Sequence, residues 1–286
     1  MKKSKIINLE HSLEENVYNP SRPFKLGSNK YIFARVENIE KQESKIYPFV
    51  FKNGIWKRLD WKLKEIELED PAISFIKGKL ILIAVRVLEK PRDNFKAWVI
   101  RTEFYQGNDI FNLKKFAEGP LGMKDIRLVE TDNKISVFTR PQGGQAKRGR
   151  IGYLEIKSLE DVKKVDFDKG KLIDIHLKNE EWVGTNDAFY LGNGVIGVLG
   201  HLAYEDKKSN LHYSAIVFKF NINEFRAFGF KIIARRKHFP YSKIKSERTK
   251  DVIFPGGFEF KGKKVILYCG LSDAEVGTIE IVNPFK

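Results

Sequence analysis

The sequence predicts an all-β chain folded as a five-bladed β-propeller, and three observations carry that prediction. Short apolar runs alternate with turns built from Gly, Asn, Asp and Lys, the pattern of strands joined by tight hairpins. One hairpin unit recurs along the chain: Asp70-Pro-Ala-Ile-Ser-Phe-Ile, a turn at Lys77-Gly-Lys, then Leu80-Ile-Leu-Ile-Ala-Val. Its acidic anchors, Asp70, Asp125, Asp187 and Asp251, recur about every 55–64 residues, and a fifth of 286 residues is about 57, the length of a four-stranded blade.

In chain order, residues 1–25 read as an N-terminal extension available for blade closure, with a charged start at Lys2, Lys3 and Lys5. A weaker unit starts at Arg35-Val-Glu37 and runs through Ile46-Tyr-Pro-Phe-Val-Phe to a turn at Lys52-Asn-Gly. The Asp70 unit follows. Next comes Asp125-Ile-Arg-Leu-Val-Glu, turning at Thr131-Asp-Asn-Lys into Ile135-Ser-Val-Phe. Asp187-Ala-Phe-Tyr-Leu turns at Gly192-Asn-Gly into Val195-Ile-Gly-Val-Leu, and Asp251-Val-Ile-Phe leads to Phe258-Glu-Phe, Lys261-Gly-Lys and Val265-Ile-Leu-Tyr. Only Ser158 to Val165 has helical period. All of this fits one propeller domain over residues 1–286.

The longest apolar stretches, such as Leu80 to Val85 and Val195 to Leu199, fall far short of the roughly 18 residues that span a bilayer. No apolar segment of signal-peptide length is visible. The single cysteine, Cys269, lies in the apolar run Val265 to Leu271, where it cannot form an internal disulfide and reads as a buried strand residue. A soluble protein of the reducing cytoplasm, with no membrane partner, is expected.

The net charge of +15, from 52 Lys and Arg against 37 Asp and Glu, attracts anions, although most lysines are scattered over turns and solvated strand positions. Nucleic acid is not expected as a partner: helix-turn-helix, paired CxxC and aromatic RNP patterns are missing, and the basic run Ala234 to His238 is short. Metal-binding spacing is missing among His11, His176, His201, His212 and His238, and no cofactor is expected. Phosphate-cradling GxxxxGK[ST], dinucleotide GxGxxG and serine-nucleophile GxSxG patterns are absent, and Gly192-Asn-Gly194 is a hairpin turn.

The first strand of each propeller blade lines the central channel, so the acidic anchors would converge on one funnel. Gathered carboxylates are costly unless they meet sugar hydroxyls, water or cations, which points to a polar ligand; alternatively some only cap backbone amides at strand ends. Glycoside hydrolysis needs two carboxyl groups, whereas phosphorolysis uses phosphate as the nucleophile and needs one general acid plus cationic donors. The loop Thr139-Arg-Pro-Gln-Gly-Gly-Gln-Ala-Lys-Arg-Gly-Arg150 supplies glycines for close backbone approach and cations for oxyanions.

Five stretches carry a family resemblance: Leu68-Glu-Asp-Pro71, Glu118-Gly-Pro-Leu-Gly-Met-Lys-Asp-Ile-Arg-Leu128, Phe138-Thr-Arg-Pro-Gln-Gly-Gly144, Gly194-Val-Ile-Gly-Val-Leu-Gly-His-Leu-Ala203 and Gly270-Leu-Ser-Asp-Ala-Glu275. Over roughly Arg35 to Phe285 the chain resembles a family first catalogued as a domain of unknown function and linked to β-1,2-mannosyl transfer and phosphorolysis. That family is distantly related to the mannoside phosphorylases of glycoside hydrolase family 130. The resemblance implies a five-bladed propeller, no metal, and an inverting mechanism in which Asp70 is the general acid. Such an acid must keep its proton at neutral pH, which burial or a neighbouring carboxylate such as Glu69 favours.

On the same resemblance, Arg35, Glu37, Asp125, Asn186, Asp187, Asp251 and Asp273 would hold sugar hydroxyls. Lys124, Arg140, Gln142, Arg150, His201 and Tyr213 would hold phosphate or the phosphates of a nucleotide sugar. The expected activity is that of a β-1,2-mannoside phosphorylase or a β-mannosyltransferase, with mannooligosaccharide and phosphate or nucleotide-sugar as partners. Where the family shows an Asn-Glu pair followed by a histidine, this chain has Asn186-Asp187 and Phe189, a departure expected to alter the sugar accepted or to weaken the activity. The segments Lys237-His-Phe-Pro-Tyr241 and Lys243 to Lys250 read as surface loop. Two alternatives stay open: a hydrolase on the same fold, with Glu69, Asp125 or Asp187 as a second carboxylate, and a non-catalytic propeller that binds carbohydrate or an acidic partner.

Overall fold

The computed structural model describes residues 3–90 and 98–286; Lys2 of the charged start lies outside them. The chain forms five antiparallel sheets arranged as the blades of a propeller. Blade 2 contains Leu68–Ile76, Lys79–Glu89, Val99–Gly107 and Lys114–Leu121, counted outward from the axis. Blade 3 contains Arg127–Glu130, Ile135–Thr139, Gly152–Ile156 and Lys171–Leu172, and blade 4 contains Trp182–Gly192, Val195–Glu205, Leu211–Asn221 and Arg226–Arg235. The hairpins join at the sequence-predicted turns, with Ile76 paired to Lys79, Glu130 to Ile135, Gly192 to Val195 and Lys261 to Lys264.

The N-terminal residues are not an appendage. Ser4–Ile6 pairs with Gly277–Ile279 and forms the outermost strand of blade 5, outside Ile253–Lys261, Lys264–Leu271 and Glu275–Val282. Glu15–Tyr18 and Phe24–Leu26 together make the inner strand of blade 1, so the unit read as starting at Arg35 starts one strand earlier, and Arg35 and Glu37 lie on its second strand, Asn29–Asn38. The strand signal is broken between those halves by Asn19-Pro20 and Arg22-Pro23, where proline removes ladder donors; Ser21 bridges the break by pairing with Phe33 through its amide and hydroxyl. Ser158 to Val165 shortens to a 3-10 turn, Leu159–Lys163, closed by a reciprocal Ser158–Asp161 cap.

The core is divided as the blades are. Five apolar clusters each fill one gap between neighbouring sheets: Phe33 and Trp61 with Leu82, Ile83 and Phe104 with Val137, Phe138 with Val198 and Phe220, Leu199 with Leu267 and Phe258, and Ile32 and Trp56 with Tyr268. Each buried side chain of this size contributes about 1.5–3 kcal/mol, and alternation along a strand lets both faces of every blade contribute. Cys269 is buried in one of these clusters, where burial pushes its thiol up. Among the described residues no helix is long and apolar enough to cross a membrane.

The inner strands share an irregularity that builds the site. Register shifts fall at Glu69/Ala72, Thr185/Asp187 and Pro255/Gly257, while blade 1 breaks after Asn19 and blade 3 begins after Asp125. Asn19, Asp70 and Asp125 hold φ of 45°, 49° and 60°. Asn and Asp tolerate this left-handed conformation better than other non-glycine residues, and a bulge re-aims the side chain it carries.

Candidate active site

Arg35 is the hub of an acidic cluster at the funnel. Its guanidinium lies 2.6 Å from Glu69, 3.2 Å from Glu37 and 3.8 Å from Asp70. Asn19 donates to Asp70 Oδ1 at 2.8 Å, and no described residue bonds Oδ2 of this nearly buried side chain. Glu37 also accepts from Tyr18 and Lys245, the latter at 2.6 Å. Three cations, Arg35, Lys245 and Lys124, thus serve Glu37, Glu69, Asp70 and Asp273, and the excess of acid shows in two of them. Burial pushes Asp273 up to about 6 despite Arg35 and Lys245, and burial raises Glu69 against the pull of Arg35. A cluster short of positive charge and of donors suits a ligand that brings hydroxyl groups.

Beside it lies a polar pocket of about 340 Å³, lined by Lys124, Arg140, Gln142, Arg148, Trp182, His201, Leu211, Tyr213, Arg248 and Phe254. Arg140 reaches Asp125 Oδ2 at 3.2 Å, yet its Nε and Nη1 are buried without a hydrogen-bond partner among the described residues. Burial alone would raise Asp125, but Arg140 and the other cations around it hold its carboxyl below the usual range. Lys124 sits between the two halves of the site: burial opposes its charge, but Asp125 and Asp70 hold its amine above the ordinary value.

His201 pairs with Asn186, Nδ1 to Oδ1, at 2.8 Å, and its ring stacks on Tyr213. Burial pushes it down to about 3, so it is a neutral imidazole at any physiological pH, with Nδ1 on Asn186 and Nε2 turned toward Asp125 Oδ2 at 4.0 Å. Gly184 makes room for it: a Cβ there would stand 2.5 Å from the ring and 2.8 Å from Asp125.

Of the residues named from sequence, Lys124, Arg140, Gln142, His201 and Tyr213 meet in this pocket, and Arg35, Glu37, Asp70 and Asp273 meet in the acidic cluster. Asp125 and Asn186 support the pocket from behind through Arg140 and His201. Three residues fall elsewhere. Arg150 donates to the Glu181 carbonyl and fixes the end of its loop, and Arg148 takes its place at the pocket. Asp251 is exposed, bonded to His212 at 2.7 Å, because blade 5 bulges at Pro255/Gly257 and Asp251 precedes the strand altogether. Asp187 is ion-paired to Arg22 and caps the Ala188 amide, although burial still pushes it up to about 6.

Phe189 packs against Phe258, Phe260 and Phe285 between blades 4 and 5. The segment read as surface loop delivers both Lys245 and Arg248 to the site. Asn19 was also missed, although Asn19-Pro20 repeats the dipeptide pattern of Asp70-Pro71. The three carboxylates named from sequence as a second, hydrolytic group are each engaged by a cation: Glu69 by Arg35, Asp125 by Arg140 and Asp187 by Arg22.

Among solved structures, the chain is similar to MPT-4, a mannose phosphorylase from Leishmania mexicana in complex with phosphate ion, at TM-score 0.89 and 26% identity, covering 99% of this chain and 89% of that one. It is similar to MPT-1, a GDP-Man-dependent mannosyltransferase from Leishmania mexicana, at TM-score 0.86 and 27% identity, covering 99% and 90%. A β-1,2-mannobiose phosphorylase from Listeria innocua shares the fold at TM-score 0.68 and 12% identity, covering 98% and 90%. No curated protein matches the sequence. The model of DUF1861, a protein of unknown function, matches residues 1–286, and the chain belongs to that family.

Proposed function

We propose that this protein is an enzyme acting on mannosides, an inverting phosphorylase that cleaves β-1,2-linked mannooligosaccharides with inorganic phosphate. The observation that carries the reading is the pairing of a donor-poor acidic cluster with a cation-lined pocket, joined at Lys124 and holding in Arg140 a buried guanidinium whose Nε and Nη1 make no hydrogen bond among the described residues. The likeness to a phosphate-bound mannose phosphorylase supports it.

In this reading the mannosyl hydroxyls meet the Glu37, Glu69 and Asp273 carboxyls, and Arg140, Lys124 and Tyr213 hold phosphate on the opposite face of the sugar. Neutral His201 lines the pocket without adding charge, its ring stacked on Tyr213 and held by Asn186. Asp70 gives its proton to the glycosidic oxygen as that bond breaks, a phosphate oxygen bonds to the anomeric carbon from the other side, and a β-mannoside yields α-mannose 1-phosphate and a shortened sugar. No second carboxylate is required, in keeping with the ion-paired state of Glu69, Asp125 and Asp187.

The test is chromatographic, with β-1,2-mannobiose supplied with and without phosphate, for the wild-type protein and Asp70→Asn. Phosphate-dependent mannose 1-phosphate should appear and should fall by about 10²–10⁴-fold in the variant, the usual share of a general acid. Mannose released without phosphate would mean hydrolysis. Turnover of GDP-mannose in place of phosphorolysis would assign the transferase activity that MPT-1 represents.

A further inference from the structure

The pocket has two tiers, and one carboxylate outside the catalytic reading is ion-paired to both arginines of the outer one. Arg140 and His201 are buried at its inner end, whereas Arg148 and Arg248 are half-exposed at its solvent end. These arginines come from different parts of the ring, Arg148 from the loop after Ile135–Thr139 and Arg248 from the segment preceding blade 5. Both are bound by Glu205: Oε2 lies 2.9 Å from Arg148 Nη2 and Oε1 lies 3.4 Å from Arg248 Nη2. Arg148 also covers Trp182 at 4.1 Å, and Arg248 donates to the Ser209 carbonyl.

Glu205 is set on a rigid support. Next to it, Asp206 accepts from the Lys208 and Asn210 amides, from Asn210 Nδ2 and from His212, and Tyr204 stacks on the His212 ring at 4.6 Å. The backbone that carries Glu205 is therefore tied down by the turn that follows it, and the two arginines are the partners of its carboxylate.

We propose that Glu205 determines which anion the pocket accepts: by occupying Arg148 and Arg248 it closes the outer tier to a second phosphoryl group, so that orthophosphate is admitted and diphosphates, including nucleoside diphosphates, are disfavoured. This rests on the phosphorylase reading. A phosphate in the inner tier meets Lys124, Arg140 and Tyr213 whatever Glu205 does, but a second phosphate must either displace this carboxylate or sit beside its negative charge. Replacing it with the isosteric amide removes the repulsion and frees two forked donors, turning the outer tier from a net charge of one to two.

The test is calorimetric titration with inorganic phosphate and with pyrophosphate, using the wild-type chain, Glu205→Gln, and Glu205→Gln combined with Arg148→Gln and Arg248→Gln. The wild type should prefer orthophosphate. Glu205→Gln should bind pyrophosphate about tenfold more tightly with orthophosphate affinity changed less than about threefold, and the triple variant should lose that gain. An unchanged ratio in Glu205→Gln, a gain that survives loss of both arginines, or a wild-type preference for pyrophosphate would overturn the proposal. Binding of neither anion by the wild type would remove the anion pocket itself, and with it both this inference and the phosphorylase reading. Orthophosphate binding with an unchanged ratio would remove only the inference.

Discussion

At the scale of single residues, the site works by withholding partners. Asp273 is a partly buried carboxyl in a cluster with more acids than cations, and its folded value of about 6 lies above the ordinary 3.8. Between these values the folded chain binds more protons than the unfolded one, so this group's contribution to stability is fully present below about pH 4 and is lost as pH rises through 6. Asp273→Asn should therefore be more stable than wild type at pH 7.5, by on the order of 1–3 kcal/mol, with the difference closing toward pH 4.5 in paired thermal melts; its sugar affinity should fall. An equal offset at both pH values would show that the carboxyl is not held protonated by the fold. Asp273 was legible from its motif, Asp70 and Asp125 from their repeated place ahead of an apolar run. Lys245 and Glu205 were not, because each acts through a contact made across blades, which no local pattern encodes.

At the scale of elements, the inner strands set the site by where they depart from regular pairing. The alternation of apolar residues made the hairpins readable, but the bulges follow from Asn, Asp, Pro and Gly at particular places and shift the true equivalence between units. Blade 5 has Pro255-Gly256-Gly257 where blade 2 has Asp70-Pro71, which is why Asp251, the acid nearest in sequence, is exposed and outside the funnel. The two strands that meet behind the pocket tolerate no added bulk. Gly184 pairs with His201, and Gly184→Ala should displace the imidazole, weaken phosphate binding by roughly tenfold or more, and cost about 1–3 kcal/mol of stability. Titration calorimetry and a melt on one sample check both, and phosphate affinity unaltered by the alanine would separate His201 from the anion.

At the scale of the whole molecule, the ring is held shut by strand pairing between the two ends of the chain. Ser4 is opposite Ile279, and Ile7 and Lys3 add backbone bonds to Val276 and Glu280. Removing residues 1–7 should lower Tm by roughly 5–15 °C, as loss of a paired strand worth a few kcal/mol implies for a chain of this size. A melt unchanged by the truncation would show that the other blades close the ring unaided. The five-fold repeat made the ring legible and residues 1–25 were available to close it, but the strand within them and its partner were not legible, since three residues carry too little pattern to announce a sheet 270-odd positions away.

The closing strand also sets an order of events in folding. Ser4–Ile6 can dock only after Glu275–Val282 has been laid down, the most distant pairing in the molecule and so among the slowest to find. Until then Glu275–Val282 is an unprotected sheet edge carrying Val276, Ile279 and Ile281, open to the same segment of another chain. Aggregation during refolding should therefore begin there, and should rise steeply with protein concentration.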